Sequence, residues 1–99
     1  MKLWLDDERP APEGWLHAET AWQAIAWLAS GKVVECSLDH DLGPERYGNG
    51  YLVLKWLEEQ AFFGRVKPLV INIHTANPAA MKRMLLARKS IMRFWGQAT

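Results

Sequence analysis

Cysteine is all but missing from this chain. Cys36 stands alone, so no internal disulfide can form, and such usage points to a reducing compartment, here the cytoplasm. Because Cys36 lies in an apolar run, it reads as a buried, inert thiol rather than a nucleophile. Net charge is missing too. Twelve Lys and Arg against eleven Asp and Glu leave a formal +1, which excludes a protein that holds nucleic acid by bulk electrostatics. A small phosphorylated ligand gripped by a few local charges stays open. No apolar stretch approaches the ~20 residues of a membrane-crossing helix. Met1-Lys2 leads straight into a short strand-like run, so no signal segment is expected. Repeats, low-complexity tracts and linkers are likewise absent, and residues 1–99 read as a single domain able to bury a core without staples. Tryptophan is the surplus: six rings, read as filling a small core rather than as six binding surfaces.

One stretch stands out. In Cys36-Ser37-Leu38-Asp39-His40-Asp41-Leu42-Gly43 an apolar run (Val33, Val34, Cys36, Leu38) gives way to two carboxylates flanking an imidazole. Packing alone does not account for that ending. Two other apolar runs end alike: residues 2–5 run into Asp6-Asp7-Glu8-Arg9, and residues 69–73 into His74-Thr75-Ala76-Asn77. As parallel strands, the three runs would set their C-terminal ends side by side, where open α/β sheets place their ligand sites.

Between these runs the chain alternates. Residues 8–15 are a loop, because Pro10, Pro12 and Gly14 forbid regular structure. Ala18, Ala21, Trp22, Ile25, Leu28 and Ala29 keep helical spacing. Thr20 and Gln23 form a capping box there, or the helix starts a turn earlier, and Gly31 closes it. Residues 32–38 are the second strand. After the glycine-rich loop over 43–50, Val53, Leu54, Leu57, Ala61 and Phe62 give a second helix, stopped by Gly64. The hydrophobic run over 69–73 suits a strand covered on both faces. Asn77 and Pro78 open a third helix as N-cap and first helical residue. Met81, Leu85, Arg88, Met92 and Trp95 carry its spacing on, with a break near Ser90 and a short terminal strand as the alternative ending. Strand and helix three times over predict an α/β fold: a small parallel sheet with flanking helices on its faces. Its edges need helical cover or a partner.

Four blocks then resemble one family. They are Trp4-Leu5-Asp6-Asp7-Glu8-Arg9-Pro10, Ser37-Leu38-Asp39-His40-Asp41-Leu42-Gly43, Gly50-Tyr51 with Lys55-Trp56-Leu57, and His74-Thr75-Ala76-Asn77-Pro78. Spanning nearly the whole chain, they look like the cyclic-phosphate processing receiver domains, bacterial and phage relatives of the response-regulator receiver. The resemblance implies a shortened receiver-like, flavodoxin-like fold and the handling of cyclic phosphate ends such as RNA cleavage leaves. It implies that Asp6 and Asp7 match the acidic pair that binds a divalent metal, and that Asp39 matches the phosphate-accepting aspartate. Thr75-Ala76 would match the hydroxyl residue that contacts the phosphoryl group. Two departures matter. The interval from Asp7 to Asp39 is short for two strand–helix units, so one is missing. No later strand ends in Lys-Pro, since Lys67-Pro68 precedes the third run. Phosphorylation-driven signalling thus lacks its lysine, and two histidines make acid–base chemistry the better fit.

Residue chemistry points the same way. Asp6, Asp7, Asp39 and Asp41 gathered at one edge would repel, and a hard divalent cation, Mg²⁺ or Mn²⁺, is the usual remedy. The plain alternative for Asp6-Asp7 is an Asx turn after a strand. His40 and His74 end different strands and would divide the roles of base and acid, or each would merely bond a neighbouring carboxylate. A histidine ligand would widen the metal choice to Zn²⁺ or Fe²⁺. Thr75, Asn77 and the N–H groups opening the third helix form an anion seat, and Arg9 and Arg46 flank it as phosphate clamps. His17 has no assigned partner. Two functions follow from different classes. One is a metal-dependent phosphoesterase opening a cyclic phosphate on an RNA end or nucleotide, with His40 and His74 as acid and base, and with Asp39 as nucleophile in a variant through an acyl phosphate. The other is a non-catalytic, degenerate receiver module that binds a phosphorylated ligand or a protein partner.

Overall fold

Alternation inside each strand decides the architecture. The computed structural model describes residues 1–97. Four parallel strands, β1 (Lys2–Leu5), β2 (Leu16–Ala18), β3 (Glu35–Leu38) and β4 (Val70–Ile73), form one sheet in the order β2-β1-β3-β4. Successive side chains of a strand point to opposite faces. The register aligns Leu3 with Leu16, Cys36 and Ile71, and Leu5 with Ala18, Leu38 and Ile73, so one face is aliphatic. The other carries His17, Trp4, Ser37 and Asn72 in one row and Lys2, Glu35 and Val70 in the row below.

Three helices, α1 (Ala21–Ala29), α2 (Gly50–Phe62) and α3 (Pro78–Phe94), cover the aliphatic face only. The first packs on β1 and β2, the third on β4, and α2 lies between them in the same layer. Their inward residues Leu28, Val53, Leu54, Leu57, Met84 and Ile91 close one core with Leu3, Leu5 and Leu38. Each large side chain so buried contributes about 1.5–3 kcal/mol by leaving water. The expected cover on both faces is therefore corrected. Asn72 interrupts the run of β4, and Trp4 and Ser37 break the others, which is the pattern of a sheet packed on one side.

The helix-free face has its own, smaller cover. Residues 6–15 join β1 to β2, and Pro10, Pro12 and Gly14 keep them from forming the usual crossover helix. The loop rests on Trp4 instead: the Trp4 indole N–H donates to the Arg9 carbonyl at 3.2 Å, and Trp15 meets Trp4 edge-on with centroids 6.1 Å apart. What the interval from Asp7 to Asp39 lacks is thus one helix, not a whole strand–helix unit. The strand it keeps, β2, includes Ala18, which the apolar spacing had assigned to the helix.

The caps set the remaining boundaries. Thr20 Oγ1 accepts from Gln23 N at 3.1 Å, so α1 starts at Ala21 and not a turn earlier. Gln23 Oε1 reaches back to Glu19 N at 2.8 Å, one residue beyond the capping-box partner Thr20 N. Asn49 and Asn77 accept from Leu52 N and Ala80 N to open α2 and α3. The strand expected from residue 32 begins at Glu35, and α3 runs unbroken through Ser90 to Phe94. Trp95 to Gln97 form no strand, and residues 98–99, where the terminal strand was also allowed, lie outside the described residues. At the open edge, β4 is short, Pro68 precedes it, and Arg88 Nη1 donates to the Ile71 carbonyl at 3.2 Å, all of which blunt strand addition. Among the described residues no helix is long and apolar enough to cross a membrane.

Candidate functional site

One position past Leu5, Leu38 and Ile73 stand Asp6, Asp39 and His74, so the register itself brings these three together. Each offers an atom to a cluster whose members all lie within 4.8 Å of one another. Asp6 is 1 % exposed, an unusual depth for a carboxylate. Its Oδ1 accepts from Glu8 N at 2.8 Å and Arg9 N at 2.9 Å, which is the Asx turn, while Oδ2 stays free to face His74 Nε2 at 3.1 Å. Burial pushes the Asp6 carboxyl up, but the two N–H bonds and the His74 ring outweigh it and hold it below the usual value. Asp6 is therefore charged at neutral pH, and the proton between the two belongs to His74 Nε2.

The rest of the ring follows from that. His74 Nδ1, left with a lone pair, lies 2.7 Å from Ser37 Oγ, which donates to it. Burial lowers the His74 pKa, with Asp6 and Asp39 only partly opposing it, so the ring is neutral. Trp4 stacks on it with centroids 3.9 Å apart and planes 6° from parallel. Asp39 is held less tightly. Its Oδ1 accepts from His40 N at 2.8 Å, but burial, with the Asp6 charge adding to it, raises its pKa despite that bond.

Above the cluster opens a cleft of about 410 Å³ whose charged lining is Asp6, Asp7, Glu8, Asp39 and Asp41 against Arg9 alone. Thr75 and Ala76 complete the wall. Asp7 is half-buried, and a Cβ on Gly43 would stand 3.1 Å from its Oδ2. Asp41 is exposed, and its Oδ1 accepts from His40 Nδ1 at 2.7 Å. His40 is not itself a lining residue, although both its neighbours are. Arg9 is anchored where a clamp should be, its guanidinium donating to the His74 carbonyl at 3.3 Å. Arg46 is elsewhere, its guanidinium 5.2 Å over the Tyr47 ring. Thr75 Oγ1 accepts from Asn77 N at 3.2 Å, and Asn77 spends its side chain on capping α3 rather than lining the cleft.

Three contributors escaped the sequence reading. Ser37 and Trp4 lie beneath and beside His74, and His17 Nε2 donates to the Asp6 main-chain carbonyl at 2.7 Å. The period-2 alternation of β1 and β3 was the signal for Trp4 and Ser37, whereas β2 is too short to offer one for His17. A larger groove of about 740 Å³ runs along the β4 edge past Val70, Leu85 and Met92. It gathers no carboxylate or imidazole, so the smaller cleft is the chemical one.

A parallel sheet in the 2-1-3-4 order of flavodoxin-like folds, with acidic residues after its first and third strands, defines a receiver-like α/β domain. The family model of the cyclic-phosphate processing receiver domain matches residues 1–90, and the chain belongs to that family. No curated protein and no solved structure matches it.

Proposed function

We propose that this protein is a metal-dependent phosphoesterase that opens a cyclic phosphate on an RNA end or a nucleotide at this cleft. The observation that carries the proposal is the crowding of Asp6, Asp39 and His74 within 4.8 Å under a cleft with five carboxylates and one arginine. Such a field repels a phosphate unless a cation offsets it. The family's name supplies the substrate class. Asp6, Asp39 and His74 would hold the cation, with Asp7 and Asp41 on the wall. Carboxylates with one imidazole fit Mg²⁺ or Mn²⁺ and admit Zn²⁺. When bound, the cation supplies charge neutralisation and polarises a phosphoryl oxygen.

The chain's own groups divide the remaining work. Arg9, tied to the His74 carbonyl, keeps a guanidinium at the mouth for a phosphate oxygen. Thr75, directly after the His74 carbonyl that Arg9 bonds, offers a hydroxyl from the cleft wall. Proton transfer falls to His40, which stands just behind the lining between Asp39 and Asp41: Asp41 takes its Nδ1–H at 2.7 Å and leaves Nε2 to accept the proton of an attacking water. His74 is not placed as a free acid or base, because Ser37 and Asp6 occupy both its nitrogens; it would ligate the cation only once Nε2 gives up the proton it donates to Asp6. That same observation favours the second reading, a module that binds a cyclic phosphate without turning it over, since the histidine pair is not arranged as free acid and base. Incubation with 2′,3′-cyclic nucleotides, cyclic-phosphate RNA ends and ADP-ribose cyclic phosphate, with Mg²⁺, Mn²⁺ or Zn²⁺, separates the two by phosphorus NMR. The proposal expects cation-dependent appearance of a monoester. Tight binding with no new resonance under any cation would leave the module.

A further inference from the structure

Ser37 and Asp6 are the two buried polar side chains among the described residues, and Ser37 is 5 % exposed. Its place explains its size. Trp4 on β1 and His74 after β4 lean towards each other across β3, and Ser37 is the residue beneath them. Alanine would leave the same room. The hydroxyl is therefore the feature to explain, and it is aimed at His74 Nδ1 from 2.7 Å.

We infer that Ser37 is a positioning residue whose hydroxyl lets His74 change which ring nitrogen carries the proton, freeing Nε2 to ligate a divalent cation between Asp6 and Asp39. The inference rests on the cation reading of that cluster. Without a cation, Nε2–H donates to Asp6 and Ser37 donates to Nδ1. To bind a cation, Nε2 gives its proton to solvent and Nδ1 takes one from it, so the imidazole stays neutral and no net proton is released. Ser37 then turns from donor to acceptor, which a hydroxyl does by rotating about one bond. A ring flip is no substitute, since a half-turn about Cβ–Cγ puts carbons where the two nitrogens face Ser37 and Asp6 and so breaks both hydrogen bonds. A ring nitrogen's partner of this kind commonly sets metal affinity by about 10–100-fold.

Two measurements test this. In ¹⁵N-histidine NMR of the wild type, His74 should carry its proton on Nε2 without cation and on Nδ1 when saturated with Zn²⁺. Ser37→Thr and Ser37→Val differ by a hydroxyl against a methyl, so shape is held constant between them. Zn²⁺ titration calorimetry should show Ser37→Thr within about threefold of wild type and Ser37→Val weaker by about 10–100-fold. Their cation-free melting temperatures should lie close together. Zn²⁺ bound at Asp6 and Asp39 while His74 keeps its Nε2 proton, or equal affinity in the two variants, overturns the role of Ser37 but leaves the cation site standing. A wild type that binds no Zn²⁺ at this cluster overturns both.

Discussion

Trp4 lies flat on His74, 3.9 Å away and 6° from parallel, although β3 runs between the strands that carry them. The stack fixes the plane of the imidazole, while Ser37 and Asp6 fix its rotation. Replacing Trp4 by Ala removes a half-buried ring and its stack, and should cost about 1.5–3 kcal/mol, below the figure for a fully buried aromatic. Trp4→Phe should lose less than half of that. Urea denaturation gives both numbers, and the His74 ring resonances should broaden in Trp4→Ala only.

Stability should fall on mild acidification, and His74 should be the cause. Its pKa in the folded state lies below the ordinary 6.5, so the unfolded chain takes up the proton first. Stability is then complete above about pH 6.5 and declines as pH falls through the window between the two values. His74→Gln should flatten the urea midpoint between pH 7 and 5. Asp6, lowered from its ordinary 3.8, acts further down: its contribution holds above that value and is lost as pH falls towards the folded one. Asp6→Asn should remove that acid limb and deepen the His74 limb, because it takes away a charge that holds the His74 pKa up.

Asp39 should behave in the opposite sense. Burial and the Asp6 charge raise its pKa, so its ionised form burdens the cation-free fold at neutral pH. Asp39→Asn should therefore raise the melting temperature without cation and abolish the rise expected from Mg²⁺ in the wild type. At a hundredfold excess over Kd that rise corresponds to about 2.7 kcal/mol. Scanning calorimetry with and without Mg²⁺ checks both halves.

Gly50 should tolerate no side chain. Its N–H donates to the His40 carbonyl, and a Cβ there would stand 1.8 Å from the Asp39 carbonyl oxygen, a backbone atom that cannot turn aside. Gly50→Ala should destabilise by about 3 kcal/mol or more and shift the Asp39 amide resonance, because relief requires α2 to move off the end of β3.

Much of this arrangement was legible beforehand. Three apolar runs ending in Asp6, Asp39 and His74 placed those residues at one edge, because hydrophobic content and its abrupt end are local signals. The strand Leu16–Ala18 was not legible: with three residues, one of them an alanine at helical spacing from Ala21, it offers no period to read. Helices on one face were legible only in part. The alternation of Leu3 and Leu5 with Lys2 and Trp4 was present, but the short apolar run of β4 outweighed the single Asn72. The site's inner contacts were hidden for a different reason. Nothing local ties Ser37 or Trp4 to His74, since only the register across β3 brings them together. Asp7 and Asp41 read as ligands equal to Asp6 and Asp39, yet they fall on the cleft wall rather than in the 4.8 Å cluster.

Where a cation sits decides the chemistry of this cleft. Mn²⁺ titrated at substoichiometric amounts broadens amide resonances close to its site, and ¹H–¹⁵N spectra of the wild type and of Asp6→Asn locate it. Broadening should centre on Asp6, Asp7, Asp39, His40, His74 and Thr75, and should be lost in Asp6→Asn. Broadening confined to the surface pair Glu58 and Glu59, or a pattern unchanged by Asp6→Asn, would contradict this placement.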